Sequence, residues 1–302
     1  MNTEHYTKIH EEYVRWLDIL GFSQATVSGF NRNIRDFFTW LEQQHFLSIK
    51  DLTQKNIHRY FEYLQTRPNR LYKGTGLSNI HLNHNFEGID KLCEFLHQMG
   101  METAPTPPNV RLKIDKEARI RNIQPFTQDE IKELYDNIDL LYSHLKHEHR
   151  EQNRQQMRLV FALFYGCGLR MSEGMKLAVD DIDFDKKTIF VHQGKNYKDR
   201  IVPMSEGVFK IVENYVYNFR KIHKTDHNRL FINKKIVLRR GLHALQEVCN
   251  NPEIKEKRIT LHILRHTIAT HLLQNGVSIE NIAKFLGHSS LTSTQIYTHL
   301  IN

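Results

Sequence analysis

The stretch Thr260–His299 reads TLHILRHTIATHLLQNGVSIENIAKFLGHSSLTSTQIYTH and carries the strongest structural signal in the chain. Apolar residues recur at the helical period from Leu264 onward, which predicts a helix that ends at Gly276. A second short helix is predicted at about Ser278–Leu286, and a third short amphipathic segment carries Tyr297. Together the three elements predict a compact helical unit that the rest of the chain supports.

Reactive side chains are distributed over these three elements. His262 and Arg265 are three residues apart, so they project from the same side of the first helix. Gly287 ends the second helix and is followed by His288, and Tyr297 lies in the third element. An arginine can hold an anionic oxygen, histidines can accept or share protons, and a tyrosine can attack as a nucleophile. This combination suits phosphoryl transfer to a tyrosine.

Composition is typical of a globular protein with an anionic partner. The chain has 302 residues, which is enough for two domains, and 42 basic against 34 acidic residues give a formal net charge of +8. Such an excess favours a polyanion, most often nucleic acid. The three cysteines are far apart in apolar patterns, which indicates reduced core residues. The N-terminal residues resemble no signal peptide, and no apolar run approaches the ~20 residues of a membrane span. We therefore expect a cytoplasmic protein that does not bind a membrane.

Residues 1–103 are predicted to form a separate helical domain. Apolar and aromatic residues recur at the helical period in four segments, with stops at Gly21, Pro68 and Gly100, and Ser23 can cap the second helix. We interpret the aromatic side chains as the core of a small bundle.

Residues 104–124 are predicted to be a linker. Three prolines between residues 105 and 108 forbid a helix and favour an extended connection. The basic residues that follow could form a solvated face or could track DNA phosphates. These candidate DNA-binding residues are Arg111, Lys113, Lys116, Arg119 and Arg121.

Residues 125–302 are predicted to form the second domain. Thr127 and Glu130 match a capping box at its first helix. A nearly all-apolar helix, Arg158 to Tyr165, leads through two glycines to Arg170. An arginine at the mouth of a buried helix is costly unless it meets an anion, and the alternative to a bound anion is a salt bridge with Glu173.

The period then changes from helix to strand. Strands are predicted at Thr188–Val191 and Arg200–Val202, joined by a polar hairpin that contains two lysines. Lys195 at its tip could face solvent or reach into a groove as a proton donor. Further helices are predicted through Val208–Phe219 and at about Leu238–Cys249. The fold class is therefore mainly α with a small antiparallel β-sheet.

Five segments of the chain resemble, in the same order, the motifs of the tyrosine recombinase (phage integrase) family, and most closely those of its compact Xer-type members. The segments are GCGLRMSE, GKNYKDRIVP, HILRH, LGHSS and TQIYTH. HILRH alone would be weak evidence, but the ordered set is specific. The resemblance covers Pro125 to His299. It implies a catalytic domain preceded by a helical core-binding (SAM-like) domain that clamps DNA.

The resemblance also implies roles. Arg170 and Arg265 would hold the non-bridging oxygens of the scissile phosphate with planar, always charged forks. Tyr297 would attack the phosphorus and form a 3′-phosphotyrosyl bond. His262 would act as general base, because an ordinary tyrosine pKa of about 10 leaves the phenol protonated.

The remaining roles concern the leaving group and the support of the site. Lys195 would protonate the departing 5′-hydroxyl, and His288 would hydrogen-bond the phosphate. Glu173 would orient the arginines and histidines, with His266 in a similar role. The resemblance implies double-stranded DNA as partner, a homotetramer or a heterotetramer with a related recombinase, and neither a metal ion nor another cofactor.

The chain departs from the family pattern in two places. Only Thr298 to Asn302 follow Tyr297, where many members have a further helix that docks on a neighbouring subunit. Tyr197 stands in the hairpin where small or polar residues are common, so Lys198 is the alternative candidate for the general acid.

Other classes of function compete with recombination. A DNA-binding protein could keep the fold without chemistry, and a type IB topoisomerase uses the same kinds of residues. A metal hydrolase using His262 and His266 is disfavoured because the motif lacks an HExxH glutamate. The sequence does not distinguish integration, inversion, excision, mobile-element transfer or dimer resolution.

Overall fold

The computed structural model describes residues 3–69, 74–114, 124–192, 199–223 and 225–287. The chain divides into two compact units, Met1–Asp115 and Lys116–Asn302. Within the described ranges, none of the helices is both long and apolar enough to span a membrane.

The first unit is helical. Its helices are α1 (Glu4–Ile19), α2 (Gln24–Gln43), α3 (Gln54–Thr66) and α4 (Asn79–Gln98). The side chains of Ser23, Thr53 and Ser78 accept backbone N–H groups at the starts of α2, α3 and α4, which confirms the predicted cap at Ser23. Aromatic rings fill the core, with Tyr6 and Phe38 stacked 4.7 Å apart between ring centroids.

Residues 104–114 have no regular secondary structure and lie along α4. The buried carboxylate of Asp90 accepts the backbone N–H of Asn109 at 3.0 Å and Arg111 Nη1 at 2.8 Å. The side chain of Asn83 exchanges two hydrogen bonds with the backbone of Leu112. This part of the predicted linker is therefore held against a helix by specific bonds. Arg111 remains about half exposed and Lys113 is exposed.

The second unit combines eight described α-helices with one small sheet. The helices are α5 (Gln128–Asp136), α6 (His147–Val160), α7 (Met171–Gly174), α8 (Glu206–Asn214), α9 (Lys235–Val248), α10 (Pro252–Glu256), α11 (Leu261–Gln274) and α12 (Ile279–Leu286). The strands are β1 (Ile182–Asp183), β2 (Thr188–Val191) and β3 (Arg200–Pro203), antiparallel in the order β1-β2-β3. The mainly α fold with a small antiparallel sheet is confirmed.

Local predictions in this unit are largely confirmed. Thr127 and Glu130 form the capping box, and both long strands begin where expected. The predicted start of the apolar helix at Arg158 is wrong, because α6 begins at His147 with exposed polar turns and continues through a π-helical segment, Phe161–Gly166. The two-residue strand β1 is too short to leave a sequence signal.

Strand β3 turns a charged residue towards the interior. Its Val202 pairs with Ile189 and is buried, and Arg200 lies on the same face because side chains alternate along a strand. The Arg200 side chain is only 10% exposed, whereas Ile201 between them is 65% exposed. The guanidinium of Arg200 therefore points into the second unit.

Helix α11 is tied to the first described residues of the second unit. The backbone N–H of Phe126 donates to Thr267 Oγ1 at 3.2 Å, and its carbonyl accepts His271 Nε2 at 2.9 Å. Since Nε2 must carry the proton, Nδ1 of His271 accepts from the hydroxyl of Tyr165 at 3.0 Å. These buried bonds set the rotation of α11 about its axis.

Candidate active site

A buried carboxylate, that of Glu173, lies at the centre of a cluster of arginines. Its Oε1 accepts Arg170 Nη1 at 2.7 Å and Arg200 Nη1 at 3.1 Å. Its Oε2 accepts the backbone N–H of Arg170 at 2.8 Å and Arg200 Nη2 at 3.0 Å. Arg265 Nη1 is 4.0 Å from the same Oε2. The salt bridge with Arg170, left open as an alternative by the sequence, is thus one part of a larger cluster.

The cluster keeps Glu173 ionised. Burial of the carboxyl group raises its pKa, but hydrogen bonds from Arg200, and then from the backbone and guanidinium of Arg170, outweigh burial and lower the pKa to about 2. Three guanidinium groups surround this single negative charge, so positive charge remains in excess. The cluster is therefore suited to attract an anion.

Two of the arginines meet at one turn of the backbone. Arg265 Nη2 donates to the carbonyl of Leu286 at 2.8 Å, and Arg170 Nη2 donates to the next carbonyl, that of Gly287. Arg265 Nη1 also donates to the carbonyl of Gly168 at 2.6 Å. Two guanidinium groups distant in sequence therefore lie side by side at the end of α12.

Glycine is required where the backbone segments approach one another. Gly168 has φ +59°, and a Cβ there would lie 2.9 Å from side-chain carbons of both Phe285 and Leu286. Gly287 has φ +67°, and its Cβ would lie 2.8 Å from Arg200 Nη1. A side chain at either position would separate the segments that hold the arginines.

His262 lies one turn from Arg265 on α11 and borders the cluster. Burial of the imidazole, and then the charges of Arg265, Lys235 and Arg170, lower its pKa below the ordinary value of histidine. The ring is therefore neutral at neutral pH and can accept a proton.

A basic cleft of about 530 Å³ opens beside His262. We use the term basic cleft for the surface lined by His262, His266, Lys235, Arg239 and Arg258, together with Gln124, Met171 and residues 260, 261 and 263. Its three long basic side chains are exposed. Among the described residues, no group of three or more His, Cys, Asp or Glu side chains is arranged to hold a metal ion.

Sequence reasoning missed the basic side chains of the cleft and also Arg200. Lys235 and Arg239 are four residues apart at the start of α9, a spacing that places two positive charges on one helix face and could have revealed them. For Arg200 the sequence offered no comparable signal, because only the burial of Val202 in the structure shows which face of β3 points inward.

Several predicted site residues lie outside the described part of the chain. They are Lys195, Lys198, His288, Tyr297 and, in the linker, Lys116, Arg119 and Arg121. Among the described candidates, Arg170, Glu173 and Arg265 come together in the cluster, while His262 and His266 line the adjoining cleft. Arg111 and Lys113 belong to the first unit.

Comparisons with known proteins agree with the motif resemblance. Residues 124–302 match the sequence profile of the phage integrase family. The tyrosine recombinase XerD of Staphylococcus haemolyticus is 26% identical over 300 residues, a match covering 97% of this chain and 94% of the relative.

Solved structures show the same fold at low sequence identity. A XerH site-specific recombinase bound to its difH substrate has a TM-score of 0.67 at 17% identity, covering 90% of this chain and 76% of that one. The Tn1549 transposon integrase, in complex with a circular intermediate DNA, has a TM-score of 0.66 at 18% identity, covering 96% of this chain and 94% of that one.

Proposed function

Because the chain belongs to the phage integrase family, as a site-specific DNA recombinase of the tyrosine class, we propose that it cleaves and rejoins double-stranded DNA through a covalent 3′-phosphotyrosyl intermediate. The observation that supports this chemistry best is the convergence of Arg170 and Arg265 on the consecutive carbonyls of Leu286 and Gly287. Two forks held side by side match the two non-bridging oxygens of one phosphodiester.

In the cleavage step, the Oη of Tyr297 attacks the phosphorus and the bond from phosphorus to O5′ breaks. The tyrosine proton passes to His262, which is neutral at neutral pH, and Lys195 supplies a proton to the departing O5′. His288 donates to the phosphate. Arg170 and Arg265 stay oriented by the carbonyls of Gly287 and Leu286 and donate to the phosphate oxygens as negative charge grows in the pentacoordinate transition state.

The phosphotyrosyl bond keeps the energy of the broken phosphodiester. A 5′-hydroxyl from another strand attacks the phosphorus, releases the tyrosine and restores a phosphodiester, so the reaction needs no nucleotide cofactor. Strand exchange between two duplexes would use four protomers, as a homotetramer or as a heterotetramer with a related recombinase.

DNA contacts extend beyond the reacting phosphate. Exposed Lys235, Arg239 and Arg258 in the basic cleft would contact phosphates that flank the cut. Residues 1–103 would act as the core-binding domain, residues 104–124 as a basic linker, and residues 125–302 as the catalytic domain.

Trapping the covalent intermediate tests the proposal directly. Wild type, incubated in EDTA with nicked duplex from the flanking sequence of its own gene, should give a protein–DNA adduct on a denaturing gel, because the nick lets the cut fragment diffuse away. Tyr297→Phe should give no adduct while its DNA affinity is retained, since only the nucleophilic oxygen is lost. The control is Tyr217→Phe, which changes an exposed tyrosine and should leave the adduct unchanged.

The outcomes separate the competing functions. An adduct in Tyr297→Phe would disprove the assignment of the nucleophile. DNA binding without an adduct in wild type, even after a candidate partner recombinase is added, would favour a DNA-binding protein without chemistry.

The leaving-group acid needs a separate substrate. Lys195→Ala should cleave an ordinary strand poorly and should recover on a strand with a 5′-bridging phosphorothiolate, because a thiolate leaves without a proton. Lys198→Ala is the matched control on the same hairpin. Recovery of Lys198→Ala alone would transfer the role to that residue.

A further inference from the structure

Arg200 is bound to the arginine cluster, although Ile201 next to it on β3 is exposed to solvent. Both terminal nitrogens of its guanidinium hold Glu173, one on each carboxylate oxygen, at 3.1 and 3.0 Å. Its hydrogen bond is the largest influence that lowers the pKa of that carboxyl group against the effect of burial. Arg200 is thus the main counter-charge that keeps Glu173 ionised in a buried place.

The same guanidinium lies against the turn that holds the other two arginines. A Cβ added at Gly287 would be 2.8 to 2.9 Å from Nη1, Cδ and Cζ of Arg200, so the arginine packs on the bare Cα. The carbonyls of Leu286 and Gly287 accept Arg265 and Arg170 at this turn. One side chain therefore supports both the carboxylate and the carbonyls that orient the cluster.

The location of Arg200 in the sheet adds a third link. It is the first residue of β3 and pairs with Val191, the last residue of β2. This pair closes the base of the connection that contains Lys195. Arg200 thereby joins the base of this hairpin to Glu173 and to the turn before His288.

We infer that Arg200 is a positioning residue of the recombinase, which holds Glu173 and the Gly287 turn so that Arg170 presents its guanidinium to the scissile phosphate. This inference rests on the proposed function. Arg200 itself is 10% exposed and is turned towards Glu173, so it acts through Arg170 and does not touch the phosphate. Without Arg200, Arg170 would be the strongest remaining counter-charge of Glu173, and its guanidinium would turn towards the carboxylate and away from the phosphate.

The first arm of the test measures cleavage of nicked DNA at saturating concentration by wild type, Arg200→Lys and Arg200→Gln. Arg200→Gln should lose roughly 10- to 100-fold in rate, the range found when outer partners of metal ligands are removed. DNA affinity should be kept, and Arg200→Lys should fall between wild type and Arg200→Gln because it retains the charge but not the two-pronged geometry.

The pH profile separates positioning from loss of packing. In Arg200→Gln the pKa of Glu173 should rise towards the ordinary glutamate value of about 4, so the loss of rate should grow as the pH falls towards that range. The matched control, Arg158→Gln, removes an arginine paired with Asp139 and Glu151. Arg158→Gln should lower the free energy of unfolding without changing how the cleavage rate depends on pH.

The second arm does not depend on activity. Carbon-13 spectra of glutamate-labelled protein, with the Glu173 signal identified by its loss in Glu173→Gln, should show a carboxylate that stays ionised at acidic pH in wild type and titrates higher in Arg200→Gln. An unchanged Glu173 titration would overturn the inference. So would an Arg200→Gln variant that cleaves like wild type, whereas a wild type that gives no adduct even with a candidate partner recombinase present would refute the proposed function instead.

Discussion

The arginine cluster and the basic cleft are neighbouring parts of one unit, yet their positive charges are placed in opposite environments. In the cluster the side chains of Arg170, Arg200 and Arg265 are 25%, 10% and 5% exposed, and carbonyls and a carboxylate hold them. In the cleft, Lys235 and Arg239 are exposed on the surface of α9.

This difference in environment implies a difference in task. Charges in a partly buried, pre-arranged site are weakly screened and can respond to charge that develops in a transition state. Exposed charges are screened by salt and mainly hold a polyanion in its ground state. The cluster should therefore control the rate of cleavage, and the cleft should control affinity and its dependence on salt.

The largest effect is expected from Arg265→Ala. Loss of one fork in the cluster should reduce cleavage at saturating DNA about 10²- to 10³-fold, as for removal of one oxyanion donor, with little change in affinity. Single-turnover rates and mobility shifts measure the two quantities. Arg239→Ala is the matched control in the cleft, and an equal loss of rate in both variants would abolish the distinction between the regions.

Gly287→Ala tests whether the geometry of the cluster depends on the turn that supports it. The alanine would pay roughly 1–2 kcal/mol for its left-handed backbone and would also meet Arg200. Gly276→Ala is the control, because Gly276 has φ +79° and no atom within 4 Å of its added Cβ. Both should lower the free energy of unfolding in urea, but only Gly287→Ala should slow cleavage. Equal cleavage by the two would argue against a supporting role for the turn.

Charge removal from the cleft should weaken binding and leave the chemistry intact. The double variant Arg239→Ala/Arg258→Ala should reduce the slope of log affinity against log salt by about one for each lost phosphate contact. Fluorescence anisotropy at several salt concentrations measures the slope. Lys186→Ala, at an exposed lysine outside the cleft, should leave it unchanged. A reduced cleavage rate at saturating DNA in the double variant would contradict the proposed division.

The smallest effect links the two regions through His262. Its pKa is lowered by burial, then by Arg265 and Lys235, so the neutral base persists to lower pH than for an ordinary histidine. Cleavage should therefore fall only when the pH drops through this lowered pKa. Lys235→Ala removes one positive charge and should move the acidic limb of the rate profile to higher pH. A shift in the opposite direction would exclude this electrostatic coupling.

Some features of the fold and of the site were predictable because their causes are local. The cap at Ser23, the capping box at Thr127 and the side of α11 shared by His262 and Arg265 all follow from short-range spacing. The start of α6 was predicted wrongly because its first turns are polar and contain no apolar stripe. Such a helix is stabilised mainly by tertiary packing, which the local sequence does not show.

Arg200 shows why other features were not predictable. By hydrophobicity alone Ile201 should face the core, yet the structure exposes it and turns the arginine inward. The inward position is stable because Glu173, held on a different element, offers a buried carboxylate with two acceptor oxygens. A pattern along one strand contains no information about that distant partner.

The amino-acid sequence by itself thus predicted most helices, the two long strands, the motifs and the kinds of chemistry that their side chains permit. The tertiary structure decided which charges meet. Periodicity and capping act over a few residues, whereas the contacts among Arg170, Glu173, Arg200 and Arg265 join segments far apart in the chain. Their geometry exists only because packing brings α7, β3, α11 and the end of α12 to one place.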